Sequence, residues 1–457
     1  MSQSKKTSSS TRRGFIKSTA ATGAAMVALP AIAKSKASPA DRIRVGLLGM
    51  GNRMTGHLQS MSTIKDENFE IVAVCDCDQS KADSVKSRYP FLADKKLKTY
   101  NDTRALLDDK SIDAVDISTP DHWHALGTIW ACQAGKDVYV EKPGAHNVFE
   151  AKKMLEAARK YNCMVQHGTQ CRSSSKIRNG IQKLKEGIIG DVYMGRAISY
   201  KLRGHLGKHA PRPVPKGLDW DAWTGPAEPM EFSNFRHRRW HWQWNTGSGE
   251  MGVQAIHQLD ILRWGMGLDT HPSTVQSAGG IFVQQDSSRE VPDNQATTYL
   301  YGDKNKMVTF EHRSWITSSE ADFRDPYPFV QPDFPVGAIF FGSKGYMTFP
   351  DFSSYHTYLG TKRELGPTES VPGSPISDAE HFQNWFGAIR SRKVADLNAD
   401  IEEGYKSLAM TLLANVSCRL GRTIHMDPET LQCPGDEEAN KLIKPPSRAP
   451  YTVPEVV

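Results

Sequence analysis

The feature that most constrains this chain is a strand–turn–helix–strand unit over residues 42–78. Ile43, Val45 and Leu47 alternate along a strand that runs into GLLGMG at 46–51. A helix is predicted through Thr55, Gly56, His57 and Leu58. FEIVAVC at 69–75 reads as a second strand, closing at Asp76. Two apolar strands joined by a helical crossover form a parallel pair. Gly49 and Gly51 let the backbone turn tightly and approach a pyrophosphate at the helix N-terminus, where Asn52 and Arg53 stand. Asp76 follows Gly51 at the distance at which an acid meets ribose hydroxyls. Its charge would repel a 2′-phosphate, so NAD is expected rather than NADP. The third glycine slot of such a turn holds Met54, with Gly56 two residues later.

A second unit repeats the rhythm. IDAVDIS at 112–118 is a strand stopping at Thr119-Pro120, and a helix is predicted over 122–134, ending at Gly135. DVYV at 137–140 is a further strand, leading into Glu141-Lys142-Pro143. Ligands of such sheets lie outside the carboxyl ends of the strands. Thr119, Pro120, His124, Glu141 and Lys142 are therefore expected beside the nicotinamide. A lysine desolvated next to a cationic ring should have a lowered pKa and can take a hydroxyl proton.

Four pieces of the chain resemble one family, the glucose-fructose oxidoreductase/inositol dehydrogenase (Gfo/Idh/MocA) superfamily. They are GLLGMG at 46–51, STPDHWHA at 118–125, AGKDVYVEKP at 134–143 and GEMGVQAIHQLD at 249–260. The resemblance implies an N-terminal Rossmann domain, a doubly wound parallel sheet. It further implies a C-terminal α+β domain with a large, mostly antiparallel open sheet that floors the substrate site. That sheet is often a subunit interface, so a homo-oligomer, dimer or tetramer, is expected. The family commonly carries His257 on a helix facing the nicotinamide, with an Asp four residues earlier; here that position is Val253. Asp260 could orient His257 instead, or pair elsewhere. Lys142 and His257 are the expected catalytic residues. Gln170, Arg172, Trp240, His241 and Asp260 are the expected substrate contacts.

The residues agree with a change of architecture after about 165. Short β-like runs replace the βαβ rhythm at 193–200, 275–283, 296–301, 307–312 and 337–341, with polar loops at 203–217 and 317–336. This pattern predicts an antiparallel sheet. Stretches 377–392 and 401–420 read as helices that pack back on the first domain. Six of the ten tryptophans fall between Trp220 and Trp264. One or two are expected to offer a flat face to a sugar ring, the others to lie in the core or at an interface. The expected organisation is a signal at 1–33, a linker at 34–41, the NAD-binding domain at 42–165, the substrate domain at 166–425 and a tail at 426–457.

The formal charge of the 457 residues is +6. Residues 1–33 supply five cations and no acid, leaving a near-neutral body with no electrostatic reason to bind nucleic acid. Arg12-Arg13-Gly14-Phe15-Ile16, the Ala-rich stretch after it and Ala31-Ile32-Ala33 resemble a cleavable twin-arginine signal. The expectation is export by that machinery to the periplasm or beyond, without a stable membrane span. The seven cysteines suit neither a disulfide framework nor a zinc site, and no metal is expected. An exported enzyme has no dependable NAD pool, so its cofactor should be tightly bound and regenerated within each turnover. Three readings stay open: a sugar or glycoside oxidoreductase acting at a ring carbinol, a glycoside hydrolase working by oxidation, elimination, hydration and reduction, and a non-catalytic sugar-binding protein.

Overall fold

Apolar residues at alternating positions build the first sheet. A computed structural model describes residues 41–65, 67–316, 336–370 and 378–457; the expected signal and the loop at 317–335 lie outside them. The strands are β1 (Ile43–Leu48), β2 (Phe69–Cys75), β3 (Lys98–Tyr100), β4 (Ala114–Ile117), β5 (Asp137–Val140) and β6 (Val165–His167). They pair in the order β3-β2-β1-β4-β5-β6, every pair parallel. β4 and β5 are buried along their whole length, as strands covered on both faces must be. The order turns back between β1 and β4, where doubly wound sheets open a ligand crevice.

The helices on its faces have clear start and stop signals. Asn147 caps helix Val148–Lys160 by accepting from the Glu150 N–H. The Glu150 carboxylate in turn accepts from the His146 N–H, a reciprocal cap. Asp400 caps helix Ile401–Leu420, and Gly421, at φ 64°, ends it. That helix is buried nearly all round because it packs between helix Val148–Lys160 and the second sheet.

The second sheet has nine strands. They are β7 (Val192–Tyr200), β8 (Thr274–Gly280), β9 (Asn294–Tyr301), β10 (Lys306–Arg313), β11 (Val336–Gly342), β12 (Gly345–Phe349), β13 (Ser354–Leu359), β14 (Glu364–Ser370) and β15 (Ile424–His425). The order is β14-β13-β12-β11-β7-β10-β9-β8-β15, antiparallel except for β7 against β10. The fold is therefore α/β: a parallel Rossmann sheet followed by a domain with a large, mostly antiparallel sheet. Strands β12 to β14 have no counterpart in the sequence reading, because glycine, proline and exposed polar residues blur their alternation.

Two segments from the second half return to the first sheet. Helix Asp378–Ser391 buries Phe382, Trp385 and Phe386 against Val45, Met54 and Tyr139. The irregular stretch 201–248 reaches the segment just after β2: the Gln79 N–H donates to the Gly217 carbonyl and the Asp219 N–H to the Cys77 carbonyl, both at 3.0 Å. All of Ile43–Val457 is one compact unit. No helix among the described residues is long and apolar enough to cross a membrane.

Candidate functional site

Along the carboxyl ends of β1, β2, β4 and β5 runs a cleft of about 1070 Å³. Its floor is the glycine turn. Gly49 sits at φ +88°, and a Cβ there would come within 2.9 Å of the Ser118 and Thr119 backbone. Only glycine lets the two strand–helix turns pack so closely. Gly51 differs, because a Cβ there would meet nothing within 4 Å. It is the N-cap of helix Asn52–Thr63, with no side chain bonding the first helical N–H groups. Open space over uncapped N–H donors is where a pyrophosphate fits.

Asp76, 8% exposed, lines the cleft. Its carboxylate accepts from the Met50 N–H at 2.7 Å and the Asp78 N–H at 2.9 Å. Burial raises its pKa, against Lys81 and those two donors. The residue thus shapes the glycine turn, and its remaining lone pairs can take ribose hydroxyls. Arg88, missed in the sequence, lines the same end, its guanidinium 3.4 Å from the Met50 carbonyl.

Farther along, Pro120 opens helix Asp121–Gln133. The His124 Nε2–H donates to the Thr119 carbonyl at 2.8 Å. Burial lowers its pKa to about 3, so Nδ1 is a bare acceptor. His124 Nδ1 and Thr119 Oγ1 are buried without partners among the described residues. An orphaned acceptor beside an orphaned hydroxyl complements a carboxamide such as that of nicotinamide. The Lys142 ammonium donates to the Val253 carbonyl at 2.9 Å. Burial lowers its pKa, against Glu141 and Asp121. Val253 lies in a π-helical turn, Met251–Ala255, whose i→i+5 pattern disturbs the helical ladder. A backbone carbonyl therefore meets Lys142 at the position where the sequence lacks the customary acid.

Two expected cofactor contacts, Arg53 and Glu141, line the cleft and are also tied to other side chains. The Arg53 guanidinium turns to Glu141 (Nε–Oε1 2.6 Å) and Asp378 (Nη2–Oδ1 3.0 Å). Glu141 Oε1 also accepts from His57 Nε2 at 3.0 Å, and Oε2 from the Lys142 N–H at 3.0 Å. His57 reaches Asp116 Oδ2 through Nδ1 at 2.9 Å. Burial disfavours its imidazolium, but Asp116 and Glu141 outweigh burial and raise its pKa to about 9. The sequence reading passed over His57, although its spacing from Met54 and Met61 places it on the buried face of its helix.

The expected substrate contacts divide. Trp240 and His241 line the cleft, their rings stacked at 3.6 Å. Arg172 and Asp260 do not line it. They pair with each other, Nε to Oδ2 at 2.8 Å, and are 4% and 0% exposed. Asp260 also accepts from Ser407 Oγ and Arg172 also meets Glu403, so Asp260 does not orient His257. Gln170 opens the 3₁₀ turn carrying Arg172, outside the cleft lining, with a buried, unpartnered Oε1. His257 is buried and, like Arg172 and Asp260, is not among the residues lining the cleft; burial and the charge of Lys142 hold it neutral. Its Nδ1 has no partner among the described residues, and its ring faces Phe352 at 5.7 Å. Of the six tryptophans between Trp220 and Trp264, Trp223 and Trp240 line the cleft, as do the earlier Trp123 and Trp130, whereas Trp242 is stacked by Arg203 and Arg289 and Trp264 by Arg172. All seven cysteines are free. No group of three His, Cys, Asp or Glu side chains among the described residues could hold a metal.

Residues 217–241 roof this cleft. Besides the two bonds to the segment after β2, the His122 Nε2–H and Trp123 Nε1–H donate to the Trp223 carbonyl at 2.9 and 3.0 Å. Arg448 of the C-terminal tail braces the roof through the Asp221 carbonyl at 2.9 Å.

Two measurements separate these roles. Gly51→Ala should cost at most about 1 kcal/mol of stability, the usual scale of an N-cap change, yet weaken NADH binding by filling the open space. Gly49→Ala should destabilise the apo-protein clearly more; thermal unfolding beside NADH titration checks both. The His57 pKa is raised from 6.5 to about 9. Its stabilisation is therefore complete below about pH 6.5 and lost as pH rises through about 9. Denaturant unfolding across that range should show this fall in the wild type and not in His57→Gln.

Comparison with known proteins agrees with this geometry. Residues 43–169 match an oxidoreductase family with an NAD-binding Rossmann fold, and residues 349–453 match that family's C-terminal alpha/beta domain. Together the two matches take in just over half of the chain. A glycosyl hydrolase family 109 protein of Shewanella baltica is 31% identical over 214 residues, 41% of this chain and 45% of that one. Levoglucosan dehydrogenase of Pseudarthrobacter phenanthrenivorans is 30% identical over 168 residues, 36% of each chain. The chain thus spans less than half the length of these curated relatives. A solved levoglucosan dehydrogenase with NADH and levoglucosan superposes with TM-score 0.62 at 18% identity, over 84% of this chain and 99% of that one. The WlbA dehydrogenase of Bordetella pertussis, with NADH and UDP-GlcNAcA, gives TM-score 0.62 at 18% identity over 84% and 99%; at such identity the likeness is one of fold. With its NAD-binding parallel sheet, its cleft and its mostly antiparallel second sheet, the chain belongs to the Gfo/Idh/MocA oxidoreductase family.

Proposed function

We propose that this protein is a sugar or glycoside oxidoreductase that works on one retained NAD, acting at a ring carbinol. The observation that carries the reading is the roofed cleft. The glycine turn and Asp76 stand at one end and Lys142 at the other, and residues 217–241 close over both. A cofactor held under a strap anchored to the segment after β2, to helix Asp121–Gln133 and to the C-terminal tail would exchange slowly. Such retention suits the export that Arg12-Arg13 and the Ala-rich stretch suggest. Bound NAD would supply the hydride acceptor and, later in the same turnover, the hydride donor. Lys142, desolvated and tied only to a backbone carbonyl, can hold or release the proton of the reacting hydroxyl. His257, neutral and with an Nδ1 that has no partner among the described residues, is the second proton-handling group. A flat face for the substrate comes from Trp240 or Trp223, and the open second sheet is available for self-association.

A second reading has a specific observation in its favour. Relatives 31% and 32% identical over part of their length are named glycosyl hydrolase family 109 protein and alpha-N-acetylgalactosaminidase. Oxidation of a ring carbon acidifies the neighbouring C–H, so a base can remove that proton and expel the aglycone. Water then adds, and reduction restores the ring. Both readings close the redox cycle within the protein. They part on an aryl glycoside in deuterated buffer without added NAD. Aglycone release with deuterium beside the oxidised carbon marks the hydrolytic cycle. An intact keto-glycoside with an equivalent of reduced second sugar marks the oxidoreductase. Lys142→Ala should slow either by about 10²–10⁴-fold while its nucleotide stays bound. Turnover only with added, exchanging NAD would refute both.

A further inference from the structure

Two lysines, not one, meet the π-helical turn. Lys142 is on the Val253 carbonyl, and on the next residue the Lys201 ammonium donates to Gln254 Oε1 at 2.6 Å. Lys201 follows directly on β7, and neither the family resemblance nor the spacing of motifs singled it out. Hydrogen bonds around the turn are out of balance. Each ammonium has three donors and is given one acceptor among the described residues. Gln254 is 5% exposed, and its Nε2 has no partner there. His257 Nδ1, three residues on, is also unpartnered.

The nearby acids are already committed. Glu250 is paired with Arg203, Nη2 to Oε2 at 2.9 Å. Glu141 is held by Arg53 and His57. Asp121 accepts from Ser248 Oγ at 2.6 Å, and burial pushes its carboxyl up to about 7. What remains is a corner with a surplus of cations and N–H donors, next to the lysine that handles the reacting hydroxyl. Burial, with Arg203 beside it, lowers the Lys201 amine to about 8. A ligand oxyanion would hold that amine charged and satisfy the Gln254 amide at once.

We propose that Lys201 and Gln254 form a subsite for an oxyanion carried on the sugar, so that the substrate class is an acidic glycoside. A ring carboxylate and a sulfate ester share the required chemistry. This specifies the substrate of the proposed oxidoreductase site and rests on that reading.

The test is equilibrium binding to the full chain with its nucleotide. The probes are methyl glycosides of gluco, galacto and N-acetylgalactosamino configuration, each as the neutral sugar, the uronide and the 6-sulfate. In the favoured configuration one charged form should bind about 10-fold or more tightly than the neutral one, as hydrogen bonds to a charged group allow. Whether uronide or sulfate binds more tightly identifies the oxyanion. Lys201→Gln should bring the ratio close to one with nucleotide content and melting temperature held, and Lys201→Arg should recover most of it. If no charged form binds more tightly than its neutral partner, or if Lys201→Gln keeps the preference, the subsite is refuted. Turnover on retained nucleotide is measured in the same preparations. Preference without turnover upholds the subsite and sinks the redox reading, whereas turnover without preference does the reverse.

Discussion

The buried carboxylate of Glu141 is the interaction on which the rest of the site depends. It ends β5, takes hydrogen bonds from Arg53, His57 and the Lys142 backbone, and is held well below the ordinary carboxylate range against the cost of burial. Through Arg53 it reaches Asp378 on the helix that crosses back from the second half, and through His57 it reaches Asp116 on β4. Desolvating this many charges is tolerable only when each is paired and hydrogen-bonded, and stranding one of them typically costs about 3–5 kcal/mol. The network fixes the backbone that carries Lys142 into the cleft lining, which Arg53 and Glu141 share.

Much of this was legible in the sequence because the parallel half has short, strong signals. A buried parallel strand must be apolar throughout, and a glycine turn in front of a helix has few other uses, so β1, β2, β4 and β5 and the cleft at their ends could be read directly. Long-range pairing was not legible. Arg53 and Glu141 looked like cofactor contacts because their positions in the chain are right. Both line the cleft, yet they are also held by Asp378 and His57, distant in sequence, which supply opposite charges. Arg172 and Asp260 looked like substrate groups, yet they satisfy each other in the interior. Local spacing cannot show whether a charged residue already has a partner.

The loss of an acid at position 253 also reads differently once the backbone is seen. Valine leaves no carboxylate for Lys142 or His257, but the π-helical turn turns a carbonyl toward Lys142. A carbonyl orients an ammonium without the full charge of a carboxylate, so burial can keep the Lys142 pKa lowered. The same turn carries Gln254 and its contact with Lys201. With no carboxylate at position 253, the site holds more donors than acceptors among the described residues.

The proposed retention of NAD would rest on the stretch 217–241, which contributes to the cleft lining and is bonded to the first half of the chain and to the tail. The most direct measurement is the nucleotide content of purified protein after exhaustive gel filtration in nucleotide-free buffer, read by absorbance and mass after denaturation. The account predicts close to one NAD or NADH for each chain. Protein that emerges empty, and binds added NAD only weakly and reversibly, would contradict it.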